Sequence, residues 1–268
     1  MDELFKPALM QRAKGRVGLH VCGDKIARLY QSGCGKLILP KTYGDMREAV
    51  LLNTAGGITG GDRLDISVTA EDCTLVATSQ TAERLYKSNM YPAQINVDLT
   101  VARAATLHWM PQETIIFDGA GVDRNIRVDM SADGTCLLAE TITLGREAMG
   151  ESVEHCHFTD QWRLYRDGIL FHGEALRLTG DIASQMHSVA GGNGARFLTT
   201  IIYVGPDAEA QSRTICPLVA ALRSAAASYW QDRIIIRLIT DNAKKGRQDV
   251  NRLLGSLRQQ PLPRVWQL

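Results

Sequence analysis

Gln94-Ile95-Asn96-Val97-Asp98-Leu99-Thr100-Val101 alternates polar and apolar residues without a break. Alternation with a period of two turns one set of side chains into a core and the other towards water, as in a half-buried β-strand. Residues 64–68 and 125–130 repeat the pattern, and Gly, Asp and Asn residues lie between such runs. Short strands at this spacing, without interleaved helices, predict stacked antiparallel sheets and not a doubly wound α/β fold.

The prediction for residues 1–268 is one domain, mainly β, with two stacked sheets in a sandwich or helicoid-like arrangement. A few helices are expected, chiefly in the C-terminal third. Residues 217–230 are rich in Ala and Leu with Pro at an opening position, and residues 243–259 carry an apolar stripe. Residues 81–88 could form one short helix. Further strands are predicted at residues 16–21, 25–30, 36–40, 47–53, 174–178, 197–204 and 233–239.

Composition restricts the class of protein. Hydrophobic residues make up 45% of the 268 positions, charged residues 22%, and the net charge is +1, all typical of a soluble globular protein. A nucleic-acid-binding protein would carry a basic excess, which is absent here. No apolar run approaches the roughly 20 residues that span a bilayer, and the N-terminal 16 residues lack a signal-peptide core. The six cysteines form no C-x-x-C pair, so we expect a cytoplasmic protein with reduced thiols.

The stretch Asn53-Thr54-Ala55-Gly56-Gly57-Ile58-Thr59-Gly60-Gly61-Asp62 has four glycines in ten residues. It does not fit a phosphate-binding P-loop, because Arg63 stands where Lys-Ser/Thr would follow. A dinucleotide-binding loop is also disfavoured, because the next residues read as a strand and not as a helix. The pattern predicts a tight turn whose glycines adopt positive φ. Asp62 either caps this turn or points into a polar cavity.

No catalytic motif is visible: the chain contains neither a G-x-S-x-G elbow nor an S-x-x-K sequence. His155-Cys156-His157 lies in an alternating run, so His155 and His157 should share one face of a strand. Two imidazoles on one face can begin a metal site, but a pair is not a full ligand set, and exposed strand histidines are common. Both interpretations remain open at the level of sequence.

Three carboxylates stand next to the glycine loop or in apolar strands. Asp62 ends the loop, Glu140 follows Leu137-Leu138-Ala139, and Glu174 lies within residues 171–176. Each is either a semi-buried oxygen ligand or a hydrogen-bonded structural anchor.

The glycine loop resembles the signature loop of the urease accessory protein UreD family, called UreH in some bacteria. Its residues would be Asn53, Thr54, Gly56, Gly57, Thr59, Gly60 and Gly61, with Asp62 at the end. Other segments that resemble the family follow in the same order along the chain. The His155-Cys156-His157 triplet departs from the family pattern. The collinear segments are T-S-Q-T-A-E-R-L-Y-K-S (78–88), L-H-W-M-P-Q-E-T-I-I-F (107–117), L-G-R-E-A-M-G-E (144–151) and P-L-P-R-V-W (261–266).

The resemblance implies a nickel-incorporation chaperone that is not an enzyme. Members bind apo-urease and a second accessory protein, UreF, and through UreF recruit UreG, a GTPase that carries nickel. The chain would then work in a heteromeric complex, with Ni²⁺ passing transiently through a water-filled internal passage and no permanently bound cofactor. The family's fold, two stacked sheets with a few helices, agrees with the strand pattern.

Such a passage needs ligands weak enough to release the ion, for which carboxylates, hydroxyls and backbone carbonyls are suitable. We therefore predict Asp62, Glu140 and Glu174 as passage-lining residues. Two rival functions remain: a hydrolase with its site on β-sheet loops, and a structural subunit that holds urease open without passing metal. The helices at 217–230 and 243–259, with the tail through Trp266, either bind partners or pack in the core.

Overall fold

Two β-sheets face each other across an apolar core in the computed structural model, which describes residues 11–42, 46–89, 91–146 and 149–267. The predicted mainly β architecture of two sheets with a few helices is confirmed. In chain order the strands are β1 (Lys14–Cys22), β2 (Lys25–Gly33), β3 (Gly35–Ile38), β4 (Met46–Asn53), β5 (Arg63–Glu71), β6 (Thr74–Ser79), β7 (Glu83–Leu85), β8 (Ala93–Val101), β9 (Thr106–Trp109), β10 (Thr114–Ile116), β11 (Gly121–Met130), β12 (Thr135–Leu144), β13 (His155–Arg166), β14 (Ile169–Asp181), β15 (Phe197–Val204), β16 (Ala225–Trp230) and β17 (Arg233–Thr240).

The first sheet has the strand order β14-β13-β11-β8-β5-β1-β2. The second has the order β16-β17-β15-β12-β9-β6-β4-β3, with β10 and β7 attached beside β12. Three α-helices are described, and all follow the last strand of the first sheet: α1 (Ile182–His187), α2 (Ala208–Ala220) and α3 (Ala243–Arg258).

The prediction of antiparallel sheets is wrong for the central strands. β1, β5, β8, β11 and β13 pair in parallel, as do β4, β6, β9 and β12. The cause is the chain path, which passes from β5 to β6, from β8 to β9 and from β11 to β12, changing sheet each time. Every return to a sheet therefore repeats the earlier strand direction. Alternation reports which face is buried and says nothing about pairing direction, so the sequence could not show this.

The strand predictions are confirmed, and those for helices are confirmed at one place. Residues 243–259 form α3, which Asn242 begins by accepting a hydrogen bond from the Lys245 N–H on its side chain. Residues 81–88 contain the strand β7 and no helix, because that segment pairs with β10. Residues 217–230 are divided: α2 ends at Ala220 with Pro217 inside it, and β16 then pairs with β17. Tertiary pairing overrides the helix propensity of this alanine-rich segment.

Helices α2 and α3 pack on the outer face of the second sheet and form a second apolar cluster. The stripe of α3, comprising Val250, Leu253, Leu254 and Leu257, is buried there, so this face packs in the core. In the tail, Trp266 packs against the same cluster and donates its indole N–H to Thr78 at 2.9 Å.

Some predictions concern residues outside the described parts, namely residues 1–10 and Glu147 and Ala148 of the 144–151 segment. Within the described ranges, none of the helices has both the length and the apolar character needed to cross a membrane. All six cysteines lie in those ranges, and none forms a disulfide.

Candidate functional site

The glycine loop connects β4 to β5 and is fixed by the side chain of Asn53. Its Nδ2 donates to the carbonyl of Gly57 at 3.1 Å and to the carboxylate of Glu83 at 3.2 and 3.3 Å. Its Oδ1 accepts from the Ala55 N–H at 3.0 Å, forming a local Asx-type turn. Thr59 holds the other half of the loop by donating its hydroxyl to the carbonyl of Lys87 at 2.8 Å. The loop is therefore a rigid turn tied to the segment around β7.

The glycines of the loop meet two different requirements. Gly56, Gly57 and Gly61 have φ values of 77°, 151° and 83°, which side chains rarely tolerate. Gly60 has no such φ, but a Cβ there would lie 1.9 Å from the Ser88 hydroxyl oxygen and 2.5 Å from the Tyr91 carbonyl oxygen. The predicted tight turn with positive-φ glycines is confirmed, as is the strand that follows Asp62.

Asp62 is buried at the base of the loop, and both of its carboxylate oxygens accept from the main chain. Oδ1 accepts from the Ala13 N–H at 2.8 Å and Oδ2 from the Thr59 N–H at 2.9 Å. Of the two alternatives that the sequence left open, this geometry is that of a turn cap. Its role along a passage stays a prediction.

A cavity of about 340 Å³ lies between the two sheets beneath the loop. We call it the loop cavity. Apolar side chains from the first sheet, including Val17, Ile66 and Val97, form one wall. Its polar lining comes from the second sheet, the loop and Arg124 of β11: Asn53, Thr54, Gln112, Thr114, Glu83, Arg124 and Glu140. The loop thus forms part of the cavity wall, although Asp62 does not.

Glu83 is the acidic group nearest to the loop in this cavity. Burial raises its pKa from 4.5 to about 7, and the amide of Asn53 opposes part of that rise by donating to the carboxylate. Its charge therefore changes near neutral pH.

A buried ionic cluster forms the inner end of the loop cavity. Arg124 of β11 donates Nε and Nη2 to the two oxygens of Asp160 on β13, at 2.9 and 2.7 Å. Its Nη1 donates to Oε2 of Glu140 on β12, at 2.5 Å, and to the hydroxyl of Thr114 at 3.3 Å. The other oxygen of Glu140 accepts the indole N–H of Trp109 at 2.7 Å. We call Arg124, Glu140 and Asp160 the ionic cluster.

The electrostatics of this cluster follow from burial against pairing. Burial raises the pKa of Glu140, and the nearby Arg124 charge pulls it down only in part. The two carboxylates raise the pKa of Arg124 above its ordinary value, so the guanidinium remains charged. One cation thus faces two acidic groups in a site with almost no solvent contact.

A second cavity, of about 330 Å³, begins on the other side of Glu140. We call it the inner cavity. Its lining includes Asp160, Thr199, Glu174 and Arg237 in addition to Glu140. Glu174 on β14 accepts from Arg237 at 2.6 Å, and Nε2 of His172 lies 4.0 Å from the same carboxylate without a hydrogen-bond partner. Glu140 is shared by both cavities, which therefore meet at the ionic cluster.

Two of the three predicted carboxylates are brought together, since Glu140 and Glu174 both line the inner cavity, whereas Asp62 lies apart. Sequence reasoning missed Glu83, Arg124 and Asp160. A signal for two of them was available. Arg124 and Asp160 each occupy the buried phase of an alternating strand, where the residues two positions away are apolar. A charged residue in that phase predicts a buried polar site.

The histidine pair has the predicted strand geometry. His155 and His157 point outwards from β13 while Cys156 is buried. Nε2 of His157 lies 2.8 Å from Oδ1 of Asp123. Among the described residues, the group whose ligating atoms converge as a metal site would require is Cys22, Glu71 and Asp72, which includes neither histidine. Metal binding by His155 and His157 stays a prediction.

Comparison with known proteins gives one consistent result across the chain. The family model described as UreD urease accessory protein matches residues 11–267. A urease accessory protein UreD from Jannaschia sp. (strain CCS1) is 40% identical over 259 residues, covering 96% of this chain and 97% of that protein. One from Chelativorans sp. (strain BNC1) is 39% identical over 274 residues, covering 100% and 98%. One from Rhizobium rhizogenes is 39% identical over 264 residues, covering 96% of each.

Proposed function

This chain belongs to the UreD family of urease accessory proteins, and from that membership we propose that it is a non-catalytic scaffold for incorporating nickel into apo-urease. The proposal adds a route for the ion: Ni²⁺ passes through the interior between the two sheets, by way of the loop cavity and the inner cavity.

The observation that carries this route is the shared wall. The two cavities have volumes of about 340 and 330 Å³ and meet at Glu140. Their polar linings offer mostly carboxylate, hydroxyl and amide oxygens, with Glu83 and Thr114 on one side and Asp160, Glu174 and Thr199 on the other. Such oxygen donors bind Ni²⁺ less tightly than thiolate or imidazole cages, so the ion can move on.

The partners in this proposal are apo-urease, UreF and, through UreF, the GTPase UreG, in a heteromeric cytoplasmic complex. They rest on the family's general role. Ni²⁺ is cargo here, and the protein holds no permanent cofactor.

The alternative function is a hydrolase with its site on the sheet loops. Among the described residues that line the two cavities there is no histidine or cysteine to act as base or nucleophile. The names of the relatives favour the accessory function.

The test is a double variant, Glu140→Gln with Glu174→Gln, expressed together with urease and its other accessory proteins. Removing both carboxylates from the inner cavity should lower the nickel content of the purified urease while co-purification with UreF stays intact. Normal nickel content would contradict the internal route. Retained nickel loading after deletion of the whole chain would contradict the scaffold function itself.

Glu113→Gln is the matched control. Glu113 and Glu174 are each 11% exposed and each pair with an arginine, but Glu113 is not among the residues that line either cavity. Its variant should load urease like the wild type, which separates loss of a cavity carboxylate from loss of a buried ion pair.

A further inference from the structure

Arg124 stands where the two cavities meet. Its side chain is 4% exposed and belongs to the lining of the loop cavity, while Glu140 and Asp160, its two ion-pair partners, line the inner cavity. The strand order explains the position. β11, which carries Arg124, lies between β8 of the loop-cavity wall and β13 of the inner-cavity wall.

The guanidinium is surrounded by the oxygen donors that a divalent cation would use. Asp160 contributes two oxygens, Glu140 one and Thr114 a hydroxyl, all between 2.5 and 3.3 Å from a guanidinium nitrogen. Carboxylate and hydroxyl oxygens are suitable ligands for divalent metal ions. One arginine therefore neutralises part of a buried ligand set that carries two carboxylates.

We propose that Glu140, Asp160 and Thr114 form a divalent-cation site between the cavities, and that Arg124 closes this site by occupying the position of the ion. The inference rests on the proposed nickel route and adds the residue that controls it. When a metal ion arrives, it takes the carboxylates and the guanidinium withdraws towards the loop cavity, where there is free volume beside it. When the ion leaves, Arg124 returns to the carboxylates.

This arrangement explains how a two-carboxylate site avoids retaining its ion. A buried carboxylate pair without a counter-charge would hold a divalent cation firmly, because uncompensated buried charge is unfavourable. Arg124 supplies an internal competitor for the same oxygens, so bound metal can always be displaced. Anions are excluded by the same carboxylates.

The experiment measures Ni²⁺ binding to the purified full-length chain by equilibrium dialysis, comparing the wild type with Arg124→Met. The variant removes the competitor and should bind about one additional Ni²⁺ per chain. The triple variant Arg124→Met, Glu140→Gln, Asp160→Asn should lose the gain. Equal binding by folded wild type and folded Arg124→Met would overturn the inference.

Arg233→Met is the matched control, because Arg233 is also buried, at 2% exposure, but lies outside the linings of both cavities and donates to the Phe171 carbonyl. It should show no gain in bound Ni²⁺. Should Arg124→Met fail to fold by circular dichroism, Arg124→Lys provides the same test. Lysine keeps the charge but cannot bridge both carboxylates, so Ni²⁺ should bind more tightly than to the wild type, and unchanged affinity would overturn the inference.

The assay contains no urease, so its outcome is independent of the nickel-loading test. If Glu140→Gln with Glu174→Gln lowers urease nickel while Arg124→Met gains no site, the route stands and the role of Arg124 falls. If the site appears but urease loading does not depend on Glu140 and Glu174, the proposed route falls.

Discussion

The indole N–H of Trp109 donates a 2.7 Å hydrogen bond to Glu140, and Leu138 of the Glu140 strand is the register partner of Trp109. This bond adds a neutral donor to a carboxylate whose other oxygen is held by Arg124. Because hydrogen bonding to the charged form favours ionisation, Trp109 lowers a pKa that burial raises. Trp109 thus helps to keep Glu140 a negatively charged ligand in a nearly dry site.

Trp109→Phe should destabilise the protein more than Trp162→Phe. Both indoles are almost fully buried, but Nε1 of Trp162 has no hydrogen-bond partner, so its replacement removes only packing. The loss of a hydrogen bond to a charged group adds about 1.5 to 3 kcal/mol. Urea unfolding of both variants measures the difference. Equal destabilisation would show that the Trp109 bond contributes nothing.

Glu83→Gln should make the protein more stable above neutral pH and leave it unchanged in acid. The folded chain holds the Glu83 proton up to a pKa of about 7, whereas the unfolded chain releases it near 4.5. Between these values the unfolding free energy of the wild type falls as pH rises, because the folded state binds more protons. The variant lacks this contribution, so its advantage should grow from pH 4.5 to 7 and then level at about 1 to 3 kcal/mol.

Urea unfolding at several pH values between 4.5 and 8 measures this advantage. A constant difference between Glu83→Gln and wild type across that range would contradict the raised pKa of Glu83.

The sequence predicted the fold class because alternation records burial directly. Residues 94–101 and 125–130 are strands for the reason given by their pattern. Pairing direction was not encoded locally, since it follows from a path that changes sheet at each of three short turns. The segment 225–230 was misread because alanine favours helices in isolation, whereas pairing with β17 decides its structure.

The candidate site was predictable in part for the same reason. Glu140 and Glu174 were found as carboxylates in apolar strands, and they do line one cavity. Their partner Arg124 was missed because attention went to carboxylates and histidines, although its inward phase marks it as buried. Glu83 could not be found from alternation. Its burial comes from packing of the short strand β7 beside the glycine loop.

The glycines of the loop should differ in their tolerance of alanine. Gly56→Ala meets no atom within 4 Å and should cost about 1 to 2 kcal/mol, from the positive φ alone. Gly60→Ala must displace the Ser88 side chain and the Tyr91 carbonyl and should cost about 3 kcal/mol. Gly255→Ala, in the interior of α3 with open space around it, is the control and should stabilise by about 0.5 to 1 kcal/mol. Urea unfolding ranks the three, and a Gly60→Ala protein as stable as Gly56→Ala would contradict the close approach.

Asp62→Asn tests the two meanings that the sequence left open for this residue. The asparagine keeps one oxygen, so either the Ala13 or the Thr59 N–H must face an amide NH₂ group and lose its acceptor. We expect a loss of about 1 to 3 kcal/mol in unfolding free energy, because a buried donor left without an acceptor bears its full desolvation penalty. Urease nickel content should be normal in cells where the variant reaches wild-type abundance, since both carboxylate oxygens already serve the turn. Nickel loading as low as that of Glu140→Gln with Glu174→Gln, at equal abundance of folded protein, would instead place Asp62 on the route of the ion.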